Sequence, residues 1–146
     1  MSSAKHLVPV DDLDSLVAEL GAWSLAPGLE GFVLAAAALG RLLAEAVELA
    51  ETNPRALSSA IAGLEPASHE LCAQVGQASL EAWSSPGDLE LAHAALSSFT
   101  VRRDWLLGAV IQCTPTLIWD LTRVLDPVHR ALRQSPTMRR LLKARP

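Results

Sequence analysis

Apolar residues in this chain recur at helical spacing, and the elements can be read from that rhythm. Leu13, Leu16, Val17 and Leu20 follow Asp11 and Asp12 at the i, i+3, i+4, i+7 positions of one helix face, with an aspartate available as the cap. Pro9 breaks any earlier helix, so residues 1–10 read as a flexible lead-in. After Pro27 a longer helix is predicted over 28–51. Its first half, GFVLAAAALG, is apolar on every side, which predicts burial on every side, and its second half, RLLAEAVELAE, is amphipathic. The alanines 35–38 leave little bulk, so a neighbouring helix can approach closely there. A crossing within the chain is favoured over a seam between copies.

One mark then repeats along the chain. Asn53-Pro54, Ser85-Pro86, Thr114-Pro115, Asp126-Pro127 and Ser135-Pro136 each set a capping residue before a proline, and Glu65-Pro66 is a weaker case. Proline fits the first helical position, where its missing N–H costs nothing, and the preceding side chain can supply the cap. These marks predict helices near 54–63, 66–84, 86–99, 115–125, 127–134 and 136–144. The stretch 101–125, VRRDWLLGAVIQCTPTLIWDLTRVL, is the densest apolar run. It reads with equal weight as two helices divided at Thr114-Pro115 or as one kinked helix. No period-two alternation and no Asn-Gly or Asp-Gly turn signals a strand. The intervals between prolines vary too much for a solenoid. The expected fold is all-α: an irregular helical bundle of about six to eight helices, with central apolar helices near 28–51 and 101–125. Its bundle domain spans 11–134, followed by a basic C-terminal helix or tail at 135–146.

Composition adds a reason to look for a partner. Half of the 146 residues are hydrophobic and mean hydropathy is +0.25, yet only 4% are aromatic. A small domain has limited interior, so some of that apolar surface is expected to be buried against another molecule or copy. Charge is split along the chain. Residues 1–100 hold 13 acids and three bases, whereas 101–146 hold nine bases and three acids. The commoner outcome of such a split is neutralisation on folding; otherwise the basic end meets an acidic partner, an anionic lipid surface or nucleic acid. Cys72 and Cys113 are isolated, so no disulfide framework is expected and a reducing compartment is the default. The first residues lack the apolar centre of a signal peptide. The most apolar window, 105–119, falls short of the roughly 20 residues of a spanning helix. The expectation is a cytoplasmic chain with no transmembrane segment.

Candidate chemistry is thin. His69 and Cys72 share a helix face, with His93 and Cys113 elsewhere, but two isolated thiols serve more simply as small buried hydrophobes. Glu90-x-x-His93 resembles half of a di-iron motif, and Glu45 and Glu48 could extend it, yet the second Glu-x-x-His is missing. No Gly-x-Ser-x-Gly elbow or phosphate-cradling loop occurs. No cofactor, metal or enzymatic activity is expected. The function expected is a non-enzymatic protein–protein interaction module: a small self-associating subunit or adaptor. Trp105, Leu106, Ile111, Ile118 and Trp119 are the expected core or interface anchors, and Arg139, Arg140 and Lys143 the expected electrostatic contact. The alternative is a helical domain that binds an apolar small molecule between the central helices near Trp105 and Cys113. A weaker one is contact with nucleic acid through the basic C-terminus, against which stands the lack of aromatic residues among its arginines. Burial of Trp105 and Trp119 decides whether 101–125 is core or binding surface.

Overall fold

The computed structural model of the chain describes residues 28–78, Trp83 and 86–143. The expected lead-in at 1–10, the helix following Asp11 and Asp12, and Trp23 lie outside the described residues, as does the side chain of Lys143. Within them the protein is all-α. Six segments follow one another: α1 (Leu29–Thr52), α2 (Leu57–Ala62), α3 (Glu65–Gly76), α4 (Pro86–Cys113), α5 (Ile118–Gln134) and α6 (Pro136–Lys143). Five of these have eight residues or more, fewer than the six to eight helices expected.

The shortfall comes from two fusions. The segments expected at 86–99 and from 101 onwards are one helix, because no glycine or proline interrupts 88–107. The Thr100 hydroxyl only bonds back to the Leu96 carbonyl at 3.0 Å. Pro127, expected to start a helix, lies inside α5. Its ring removes one backbone hydrogen bond. The apolar row Leu121, Val124, Leu125, Val128 and Leu132 nevertheless runs through it without a break and stays buried against the core. Packing of that face outweighs the lost bond. The helix expected over 66–84 is shorter and ends at Gly76.

Thr114-Pro115 divides two helices. Thr114 leaves helical geometry at φ −147° and ψ 75°, and Asn53, between α1 and the turn at Pro54–Ala56, does the same at φ −152° and ψ 72°. Neither side chain caps its helix. The Asn53 and Thr114 carbonyls accept instead, from Ala56 and Leu117 at 3.0 and 2.9 Å. Ser135 does cap with its side chain, its Oγ accepting from the Met138 N–H at 3.2 Å. The two similar junctions are tied to each other where the Cys113 thiol donates to the Ala50 carbonyl at 3.3 Å.

The core sits chiefly between α1 and α4, with α5 packed on α3. Leu29, Phe32, Leu39 and Leu43 of α1 meet Leu96, Phe99, Leu106 and Val110 of α4 in one buried cluster. Trp83 is fully buried beside Phe32, their ring centroids 5.4 Å apart. Ala35, Ala36 and Ala37 are buried within the chain, as a crossing helix requires, but Leu34 and Ala38 are exposed, so α1 is not enclosed on every side. Arg102 is also enclosed, at 1% exposure. Gly40 makes its room: a Cβ there would lie 2.7 Å from Arg102 Nη1.

Candidate interaction surface

The second half of α4 and the start of α5 carry the surface of interest. Leu106 and Val110 turn inward on α4, which fixes the phase of the helix and sends Trp105 and Ile111 outward. Trp105 is 49% exposed, Ile111 57% and Trp119 77%. The five expected anchors therefore separate. Leu106 is core, Ile118 is half-buried against the core, and Trp105, Ile111 and Trp119 face out. The region 101–125 is thus part core and part surface: Arg102, Leu106, Val110, Leu121, Val124 and Leu125 are buried, while both of its tryptophans face out. Gly108, exposed between the two outward α4 residues, was not singled out from the sequence, and a Cβ on it would meet nothing within 4 Å among the described residues.

Polar groups brace this surface from behind. The Arg103 guanidinium is bound to Asp104 at 3.0 Å, stands 5.9 Å from the Phe99 ring centroid, and reaches across to α5, where Nη1 lies 3.1 Å from His129 Nε2. An arginine only donates, so Nε2 is the acceptor and the imidazole is neutral in this contact. Burial pushes the His129 pKa below its ordinary value; Arg103 and Arg133 push it the same way, against a smaller opposing pull from Asp126 and Asp104.

Around the outward face of α5 and α6 lies the basic surface. Trp119, Arg123, Arg130 and Arg133 stand on the side of α5 opposite its buried row. Arg123 pairs with Asp120 at 3.3 Å and Arg130 with Asp126, both within one turn of the same helix. Arg133, Arg139 and Arg140 are exposed and form no ion pair among the described residues. Glu45, Glu48 and Glu51 line an exposed edge of α1. The described ion pairs are all local, so the acidic and basic parts of the chain are not joined through them.

The sites considered for metal do not assemble. His69 and Cys72 lie on α3, Cys113 at the end of α4, and no group of three His, Cys, Asp or Glu among the described residues is placed to hold an ion. Burial raises the Cys72 thiol pKa, which keeps it protonated. An open cleft of about 340 Å³ lies elsewhere than expected, between the end of α3 and the α5–α6 junction. Cys72, Val75, Ala78, Ala131 and Pro136 supply most of its apolar lining. Trp105 and Cys113 take no part in it. No helix among the described residues is long and apolar enough to cross a membrane. Comparison with protein-family models, with curated proteins and with solved structures finds no match to this chain.

Proposed function

We propose that the chain is a non-enzymatic helical interaction module, a small subunit or adaptor that associates with a protein partner, another copy of itself included. The observation that carries this reading is the outward placement of Trp105, Ile111 and Trp119. Trp105 and Ile111 share the outward side of α4; exposed apolar side chains that lie together are characteristic of interaction sites, and tryptophan is prominent among residues that dominate binding energy. The exposed arginines 133, 139 and 140 support a contact with an acidic surface, and the free thiols of Cys72 and Cys113 support a reducing, cytoplasmic setting.

Sedimentation of the pure chain over a wide concentration range tests the reading, together with affinity capture by the chain and by a Trp105→Ser, Trp119→Ser variant. The expected result is association, with itself or with a captured protein, that the variant loses. A chain that stays monomeric, and whose captured proteins are unchanged by the two substitutions, overturns it. The cleft beside Cys72 favours one second reading, the binding of a small apolar molecule, since its volume is at the lower end of ligand sites. A panel of apolar ligands that leaves the melting temperature unchanged removes that reading.

A further inference from the structure

Position by position, the outward stripe of α4 is its own complement. Val101, Asp104, Trp105, Gly108, Ile111 and Gln112 fall within about a third of a turn around the helix. Read outwards from Gly108, Trp105 stands three positions before and Ile111 three after; Asp104 stands four before and Gln112 four after. An antiparallel copy crossing at Gly108 therefore sets each Trp105 ring on the partner's Ile111. It also sets each Asp104 carboxylate where it can accept from the partner's Gln112 amide. This is the geometry of an isologous two-fold contact, in which every pair occurs twice.

Gly108 gives the crossing its place. Glycine inside a helix is destabilising relative to alanine, and its usual compensation is a close approach by something else. Among the described residues nothing approaches: a Cβ on Gly108 would have open space. Gly40, by contrast, yields its space to Arg102. Charge does not oppose the crossing, because each Asp104 is held by its own Arg103 at 3.0 Å and brings no uncompensated charge to the seam.

We infer that a second copy of this chain docks antiparallel on the outward stripe of α4, with the two-fold axis passing at Gly108. The inference rests on the self-association proposed above and specifies where it occurs. Two variants of the full chain test it. Gly108→Glu puts a charged side chain on the axis at a position with room for it, so the dilute protein keeps its helicity and melting temperature. The dimer dissociation constant is expected to rise at least about tenfold, a change of roughly 1.4 kcal/mol. Gly108→Cys, in a Cys72→Ser, Cys113→Ser background, is expected to give a covalent dimer under mild oxidation, since a cysteine on a two-fold axis meets its own copy at disulfide distance. Trp119→Ser lies off the stripe and is expected to leave dimerisation unchanged.

Dimerisation that survives Gly108→Glu, with no cross-linking of Gly108→Cys, places the seam elsewhere and overturns the inference while the interaction-module reading stands. A chain that remains monomeric at its highest soluble concentration overturns the inference too. The broader reading then depends on whether Trp105→Ser, Trp119→Ser alters capture of a different protein.

Discussion

In the first half of α4, Leu91, Ala92, Ala95, Leu96, Ser98 and Phe99 are buried, and between Leu91 and Thr100 no residue is fully exposed. That sheltered half is built largely of small or polar side chains, with three alanines, two serines, a histidine and a threonine. The half beyond Arg103 has the opposite character. It exposes Trp105, Gly108, Ile111, Gln112 and Cys113 and holds the helix's one tryptophan and its one isoleucine. Exposure and apolar bulk thus rise together along one helix, the reverse of what a helix packed only within its own chain should show. α1 runs along α4 beyond this boundary, meeting Arg102 at Gly40 and Cys113 at Ala50, so the difference lies on the side of α4 turned away from α1. On that side nothing among the described residues lies within 4 Å of a Cβ built on Gly108, and Trp105 and Ile111 are exposed.

The sharpest way to break this comparison is to truncate one large side chain in each half. Phe99→Ala in the sheltered half should lower unfolding free energy by about 3–5 kcal/mol, through lost burial and the cavity left behind. Ile111→Ala in the open half should cost less than about 1 kcal/mol in dilute solution. Urea unfolding of both variants measures this. Equal losses would mean that the open half is covered within the monomer.

The boundary between the halves gives the next effect in size. Gly40→Ala sets a methyl group 2.7 Å from Arg102 Nη1 and 3.3 Å from its Cδ, inside a site where the arginine is enclosed. The side chain must shift in packed surroundings, at a cost of about 1–3 kcal/mol. A melting temperature equal to that of the unaltered chain would show that Arg102 can move freely and that the boundary is loose.

Arg102 also explains what the sequence hid. The helices themselves were legible, because proline can sit at a helix start and does so at Pro86 and Pro136, while Pro54 and Pro115 open the short turns that lead into α2 and α5. Pro127 carried the same local signal, and only the continuous row from Leu121 to Leu132 shows that it lies inside a helix. The phase of α4 was much harder to read. Its buried row runs through Phe99, Arg102, Leu106 and Val110, whereas its outward row holds Val101, Trp105 and Ile111. An arginine on the inner side and a tryptophan on the outer side cancel the amphipathic contrast from which orientation is inferred. Trp105 and Ile111 could be named as anchors from the sequence, but not as outward ones. Gly108 could not be named at all without knowing which way that row faces.

A smaller effect should appear at Gly108 itself. Gly108→Ala adds a methyl group with no neighbour within 4 Å among the described residues and removes backbone freedom from the unfolded chain. The monomer should gain about 0.5–1 kcal/mol. The same change at Gly40 is predicted to destabilise, so two glycine-to-alanine substitutions of opposite sign report the difference between a filled and an open helix face. A loss at Gly108 in dilute urea titrations would place an intramolecular neighbour over the open half.

The least effect is expected at the bond that ties the open half to α5. His129 accepts from Arg103 as a neutral ring, and its pKa lies below the ordinary 6.5 through burial and then through Arg103 and Arg133. The folded chain therefore binds fewer protons at this site than the unfolded chain near pH 6.5, and stability rises with pH there. The contribution is complete above that value and is lost as pH falls below it towards the folded-state pKa, where protonation takes away the acceptor. His129→Gln retains a neutral acceptor without the titration. Unfolding free energy of the unaltered chain should fall more than that of the variant between about pH 7.5 and about pH 5.5. Parallel pH profiles would show that the Arg103–His129 bond does not hold the open half in place, and the brace would then have to come from Leu106 and Val110 packing alone.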